Sequence, residues 1–335
     1  MTPKILLISG GREEAEVGSI SANYVINLFN KKEGFDLTHV FYSKNRRFYL
    51  NAIKESEVDE KKEITLHKNG YRLCGKNHQI DYCIPMIHGF PGESGDIQPI
   101  LEHFSIQYLG NNGEVSNRCF NKITTKLWVE QLGIKTTPFK VIWPHDTQKD
   151  IVKYFRNFEQ DVYIKASSQG SSIGCYHLTN EKKIHETIEL ARTFSDHILI
   201  EKAINARELE VAVFEYKNKT IVSNPGEVLN ESRFYDFDAK YSNTSTSRTT
   251  LEPNLSAEQL EKIKIFSKKI FKGLNLRDLS RIDFFLSSNG EIYLNEVNTL
   301  PGMTPISLFP KLLESTGVSF FDYITDRIIN RRLSK

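Results

Sequence analysis

The stretch Arg281-Ile-Asp-Phe-Phe-Leu-Ser-Ser-Asn-Gly-Glu-Ile-Tyr-Leu-Asn-Glu-Val-Asn298 reads as two β-strands joined at Asn289-Gly290, the strongest short hairpin signal a sequence carries. A two-residue turn there sets Ser288 opposite Glu291, Asp283 opposite Glu296 and Arg281 opposite Asn298. Strand alternation then gathers Arg281, Asp283, Glu296 and Asn298 on one face. Two carboxylates directly across a ladder repel. A hard divalent cation removes that penalty, and Mg2+ suits an all-oxygen set. The register decides the matter, because a four-residue turn keeps this face and a three-residue turn flips one strand. For the two acids alone, a hairpin with a solvated polar face is the competing reading.

The chain has 335 residues, enough for two or three lobes. Its formal net charge of +2 marks neither a nucleic-acid binder nor a membrane-surface binder. No apolar run approaches a membrane span. Ile5-Leu-Leu-Ile8, followed by Gly10-Gly11, is too short for a signal-peptide core and reads as a first buried strand. Cys74, Cys83, Cys119 and Cys175 form no Cys-x-x-Cys pair and read as reduced thiols of a cytoplasmic protein. No histidine stands at a zinc-site spacing from another ligand.

Strand-like runs at Lys4–Ser9 and Tyr82–Ile87, with a helical pattern over Ser19–Phe29 between them, predict a parallel α/β sheet. Ligands of such sheets collect at the carboxyl ends of strands, where Gly10-Gly11 and His88-Gly-Phe-Pro-Gly-Glu-Ser-Gly95 lie. A helix is expected over Asn117–Leu132, closed by Gly133. Strands follow at Asp161–Ala166 and Ile198–Lys202, then an antiparallel pair at Leu209–Tyr216 and Ile221–Val228. Residues 230–250 are polar, aromatic-studded and without period, and a loop that long is usually functional or mobile. An amphipathic helix at Ser256–Lys272 precedes the hairpin, and two helices end the chain.

Gln169-Gly-Ser-Ser-Ile-Gly174 follows a strand ending near Lys165, and such a loop can turn backbone N–H groups toward a phosphate beside a lysine. Its spacing fits neither a Walker A loop nor a Rossmann fingerprint, and by itself a plain turn is the favoured reading. Glu201, at a strand end, can hold ribose hydroxyls or simply carry surface charge, and Lys122 can be an ordinary surface lysine. His88 can touch a polar substrate or serve as a hydrogen-bonded loop residue. Glu14, after the first glycines, can bind a substrate ammonium or favour a helix N-terminus.

Taken in order, these pieces closely resemble the D-alanine–D-alanine ligase family of ATP-grasp enzymes. The matching segments are Gly10-Gly11…Glu14, His88-Gly-x-x-Gly-Glu93, Lys165…Gly170-Ser-Ser-Ile-Gly174, Glu201-Lys202, Phe234-Tyr-Asp-Phe-Asp-Ala-Lys-Tyr241, Arg281-Ile-Asp283 and Asn295-Glu-Val-Asn-Thr-Leu-Pro-Gly-Met-Thr304. The last three are specific, and the resemblance spans nearly the whole chain. It implies an α/β ATP-grasp fold of three lobes: a substrate-binding lobe at 1–116, a central lobe at 117–203 and a catalytic lobe at 204–335. ATP is then clamped between the last two, and residues 230–250 form a mobile lid.

The resemblance also implies roles. Lys122, Lys165 and Ser171 face phosphates. Glu201, Lys202, Ile204 and Glu208 hold the nucleoside, with Lys240 and Asn295 completing the ATP site. Asp283, Glu296 and Asn298 hold two Mg2+ ions, with Mn2+ an alternative. Glu14, Ser171 and Tyr241 tie the lid to the first substrate. Arg281 and the Gly302 amide stabilise the reacting carbonyl oxygen. Ser307 and Leu308 receive the second carboxylate, and His88 lies beside the substrate. The activity implied is ATP-dependent joining of two D-alanines through an acyl phosphate for cell-wall precursor synthesis, by a cytoplasmic homodimer that binds neither nucleic acid nor membrane. D-Alanine–D-lactate ligation, or another carboxylate–amine ligation, is the alternative. The intact Lys240-Tyr241 favours an amine acceptor.

Two departures stand out. Glu14-Ala-Glu-Val-Gly-Ser19 replaces the family's usual Glu-x-Glu-Val-Ser, and matching Glu14 requires a one-residue gap after the glycines. Ser94 stands where Asp is common in relatives.

Overall fold

A computed structural model of the chain describes residues 2–12, 14–229 and 248–333, the last three without their side chains. Three sheets follow one another along the chain. The first runs β6-β5-β4-β3-β2-β1-β7, built from β1 (Lys4–Gly10), β2 (Asp36–Tyr42), β3 (Phe48–Leu50), β4 (Glu63–His67), β5 (Gly70–Leu73), β6 (Lys76–Gln79) and β7 (Tyr82–Pro85). Only β2, β1 and β7 are parallel; β3 to β6 return as an antiparallel meander, so the expected parallel sheet is a mixed one. Helix α1 (Ala15–Asn30) crosses between β1 and β2, starting four residues earlier than its apolar pattern suggested. Helix α2 (Ile97–His103) follows β7 and the His88–Gly95 loop.

The helix expected over 117–132 is two helices, α3 (Gly113–Phe120) and α4 (Lys122–Gln131). Asn121 breaks it. Its backbone is extended, and its side-chain oxygen accepts from the N–H groups of Ile123 and Thr124, so it caps the second helix instead of continuing the first. Lys122 thereby becomes the first residue of α4.

The second sheet, order β10-β9-β11-β8, is antiparallel throughout: β8 (Phe139–Ile142), β9 (Val162–Ala166), β10 (Cys175–Leu178) and β11 (Ile198–Lys202). One face packs Val162, Ile164, Ile198 and Ile200 under α5 (Gln148–Asn157) and α6 (Ile184–Arg192), through Phe155, Ile184 and Ile188. Alternation leaves Lys165 and Glu201 on the opposite face.

The third sheet is built on β12 (Ala206–Tyr216). The single strand expected at 221–228 is two, β13 (Lys219–Val222) and β14 (Gly226–Leu229), both antiparallel to β12. Edge strand β15 (Arg248–Thr250) pairs with β14, so the end of the expected 230–250 loop is regular structure. Strands β16 (Leu279–Ser287) and β17 (Ile292–Asn298) complete the sheet. Leu209, Val211, Val213, Ile282, Phe284, Leu286, Ile292, Leu294 and Val297 form one apolar face beneath α7 (Ala257–Gly273) and part of α4. At roughly 1.5–3 kcal/mol per fully buried aliphatic side chain, that face is what holds the hairpin in place.

On the other face, Ala212 and Phe214 join α8 (Leu308–Glu314) and α9 (Phe320–Leu333) in a core shared with Ala22, Val25 and Phe29 of α1. The first and third sheets are thus packed on common helices. Asn111 adds a buried tie, its Nδ2 donating to the Leu279 carbonyl at 2.9 Å.

Candidate active site

The hairpin carries the site, by a route the turn signal alone does not show. The loop spans three residues, with Ser287 opposite Glu291: the Ser287 N–H donates to the Glu291 carbonyl at 3.0 Å, and Gly290 closes the turn at φ +83°. That would flip one strand. The register holds Phe284 against Leu294, then slips, so that Asp283 faces Glu296 and Arg281 faces Asn298. Asn295 is the extra residue of a β-bulge, and it undoes the shift made by the turn. The four hairpin side chains therefore share a face, as two errors of one residue cancel. The sequence does carry the bulge signal: Ile292, Leu294 and Val297 are buried, a spacing of two and then three.

Asp283 is fully buried at the centre of this face. Arg281 grips it with a fork, Nε to Oδ1 at 2.8 Å and Nη2 to Oδ2 at 2.7 Å, and Asn298 Nδ2 donates to Oδ2 at 2.9 Å. A third acid, not anticipated from sequence, completes the row. Glu210 on β12 pairs with Asp283 in register, and its Oε2 lies 3.1 Å from Arg281 Nε. The Glu208-Leu-Glu210-Val alternation was the available clue, since Leu209 and Val211 are core. Burial works against the Arg281 charge, yet Asp283 and Glu210 hold its pKa well above the ordinary value.

Among the described residues, no group of three or more His, Cys, Asp or Glu side chains is gathered for a metal; the hairpin set is two acids and an amide. That oxygen-rich set, with a guanidinium as its counter-charge, fits a hard divalent cation and gives nothing soft for zinc.

A cleft opens beside it, lined by Glu93, Lys122, Gly170, Glu296, Asn298 and Thr299. Lys122 Nζ donates to the Gln169 carbonyl, and its backbone N–H donates to the Ser167 carbonyl at 2.8 Å, fastening α4 to the glycine loop. Ser171 and Ser172 both sit in the left-handed region, φ +50° and +62°, a conformation that costs non-glycine residues energy and is common at functional loops. Glu14 is buried and reaches between two glycines. A methyl group at Gly170 would stand 2.7 Å from its Oε1, and one at Gly89 3.3 Å. The structure so brings Glu14 to the phosphate-type loop next to Ser171. Lys240 and Tyr241 lie outside the described residues.

Lys165 and Glu201 meet across the second sheet, Nζ to Oε1 at 2.8 Å. Lys126, also unanticipated, reaches Glu201 Oε2 at 3.1 Å from one turn beyond Lys122. Burial opposes charge on Glu201, but the two lysines outweigh it and hold the carboxyl down at about 2. Glu208 stands on β12 opposite Phe285, and Ile204 lies in the link from β11 to β12.

Three of the expected site residues have side chains engaged away from the cleft. His88 is not open to a substrate: Nδ1 donates to the Leu300 carbonyl at 3.0 Å, and Nε2 accepts from Ser21 Oγ at 2.9 Å. Burial lowers its pKa to about 4, so the ring is a neutral brace between the first sheet and the 300–304 turn. The Lys202 amine points outward to Glu159 and is spent there. The Leu308 side chain is buried in the core, so only its backbone can face a ligand. Ser307 Oγ does face the turn, 2.7 Å from Thr304 Oγ1 and tight against Gly302.

Glu93 accepts from the Gly89 N–H at 3.2 Å, and burial followed by the nearby Glu14 charge pushes its carboxyl up to about 8. With an unfolded value near 4.5, the folded protein loses stability as pH rises from there toward 8, because the unfolded chain releases the proton first. Glu93→Gln removes that loss. Its stability advantage over the parent should grow by roughly 1–3 kcal/mol between pH 5.5 and pH 8, read by urea unfolding. An equal difference at both pH values would contradict the raised carboxyl.

Two family models match most of the chain. The chain matches the D-ala D-ala ligase N-terminus over residues 4–111 and the D-ala D-ala ligase C-terminus over residues 128–330. It is 43% identical over 330 residues to a D-alanine--D-alanine ligase of Vibrio campbellii, covering 97% of each chain. The crystal structure of D-alanyl-alanine synthetase A from Vibrio cholerae superposes with a TM-score of 0.90 at 40% identity, covering 99% of both chains. A D-Ala:D-Ser ligase structure from Enterococcus faecalis superposes at 0.86 with 26% identity, covering 99% of this chain and 100% of that one. With its acid row, glycine loop and buried lysines on that shared fold, the chain belongs to the D-alanine–D-alanine ligase family.

Proposed function

We propose that this chain joins two D-alanines into D-alanyl-D-alanine at the expense of ATP, releasing ADP and phosphate, for peptidoglycan precursor synthesis. The observation that carries this reading is the single cleft that gathers Lys122, Gly170, Glu296 and Asn298 beside the Arg281–Asp283 fork. A carboxylate does not acylate an amine in water, because its leaving group is poor. Phosphoryl transfer from ATP makes an acyl phosphate, and that step is mainly management of charge. Lys122 and Lys165 supply positive charge beside the glycine loop. Asp283, Glu296 and Asn298 would hold Mg2+, which neutralises charge on the phosphates when bound. Arg281 then serves the oxyanion formed when the second amine attacks, together with the Gly302 N–H. Glu14 binds the first ammonium from its seat between Gly89 and Gly170, and Ser307 faces the second carboxylate. In this reading Tyr241, which lies outside the described residues, would join Glu14 and Ser171 in latching residues 230–250 over the site, which keeps water from the acyl phosphate.

The three sheets correspond in this reading to lobes at 1–116, 117–203 and 204–335, in a cytoplasmic homodimer. Among the described residues, no helix is long and apolar enough to cross a membrane. Purified protein with ATP and Mg2+ should convert D-alanine to a dipeptide detected by mass, with one phosphate released per dipeptide, and should leave L-alanine unjoined. Phosphate release at background with D-alanine present would overturn the assignment. The likeness to a D-Ala:D-Ser ligase makes D-serine the acceptor to test next, and D-lactate should serve poorly because Lys240-Tyr241 is intact.

A further inference from the structure

Lys126 is a lysine the chemistry above leaves without a task. It is 2% exposed, as is Glu201, and the two approach to 3.1 Å. Its amine also donates to Thr137 Oγ1 at 2.5 Å and lies 5.4 Å from the Phe139 ring centroid. Charges buried this deeply are rarely kept for stability alone. Glu201 is held from two sides: Oε2 by Lys126, and Oε1 by Lys165 at 2.8 Å. The two lysines differ in place. Lys165 pairs in register with Cys175, at the end of the glycine loop, whereas Lys126 is enclosed against Thr137.

We propose that Lys126 is a positioning residue for nucleotide choice: it pins Glu201 by one oxygen so that the other can accept from the exocyclic amino group of adenine. The inference rests on the placing of Glu201 at the nucleoside, and narrows that contact to the base. A bound phosphate draws Lys165 away from Oε1, which then needs a new donor. The adenine amino group supplies one. Guanine presents a carbonyl at that position, and a carboxylate repels it. Lys126 keeps the carboxylate from turning after Lys165 and so preserves the discrimination.

The test is calorimetric binding of ADP and GDP, with Mg2+, to the full chain and its variants, which requires no turnover. Glu201→Gln comes first, since its amide can also donate to guanine. An ADP/GDP affinity ratio unchanged in that variant would show that Glu201 does not read the base, and the inference would fall with its premise. If the ratio falls, Lys126→Met should lower it about tenfold, the loss of roughly one charge-assisted hydrogen bond. Thr137→Val, a milder change that removes the hydroxyl shared by Lys126 and Glu201, should lower it about two- to threefold. In the Glu201→Gln background, Lys126→Met should change the ratio by less than about twofold, because the lysine acts through Glu201. An unchanged ratio in Lys126→Met, or an equal drop in both backgrounds, would overturn the positioning role. Should Lys126→Met fail to fold, an unchanged ratio in Thr137→Val overturns it instead.

Discussion

Asp283→Asn is expected to lower dipeptide formation at least about a thousandfold while leaving a cooperatively folded protein. Asp283 is the middle acid of three on adjacent strands, and it is bonded at once to Arg281 and Asn298. The substitution keeps shape and removes charge. Arg281 is not left alone, because Glu210 remains 3.1 Å from its Nε, so the usual cost of about 3–5 kcal/mol for breaking a buried pair is softened. What is lost is the anionic oxygen between Arg281 and Asn298 that would hold the cation against the phosphates. Phosphate release and dipeptide yield should fall together, since both follow from the same transfer. The variant's melting temperature without Mg2+ should drop by only a few degrees, whereas ADP with Mg2+ should raise it far less than in the parent. Turnover within tenfold of the parent would remove Asp283 from the metal set.

How far the residues announce this site depends on the distance over which they cooperate. The hairpin is local, and alternation between Arg281 and Asp283 was readable directly. The turn was not, because Asn-Gly suits both a two-residue turn and a longer one closed by glycine. The bulge was hidden for the same reason, although Leu294-Asn-Glu-Val297 breaks the two-residue period in plain view. Asn121 inside an otherwise helical run was a stop signal that the apolar pattern masked. The second sheet's Lys126–Glu201–Lys165 group was illegible, because its members come from a helix and two strands that only tertiary packing joins. Glu210 was half legible: the strand was expected, and its polar face follows from Leu209 and Val211. The engagement of the two His88 nitrogens needed Ser21 on α1 and Leu300 beside the 300–304 turn, both far from His88 in sequence.

Deleting Asn295 should cut activity while leaving the third sheet folded. The three-residue turn by itself would set Asp283 opposite Asn295, and the bulge moves the pairing on to Glu296. Removing that one residue straightens β17 without changing any face: Phe284 still meets Leu294, Asp283 meets Glu296 and Arg281 meets Asn298, and Ile292, Leu294 and Val297 fall at a regular spacing of two. No carboxylate enters the core and no aliphatic side chain leaves it, so the melting temperature should stay within a few degrees of the parent. What changes is local. A bulge bends its strand and adds twist, so its loss re-aims Glu296 and Asn298 relative to Asp283. A misplacement of about 1 Å in a site of this kind can cost on the order of a hundredfold, and turnover should fall by about that much. Asn295→Ala keeps the residue count and the bulge, so it should lose less activity than the deletion. A deletion variant that unfolds far below the parent would mean that the sheet depends on the bulge for its fold, and one with near-parental turnover would mean that the bulge does not aim the acids.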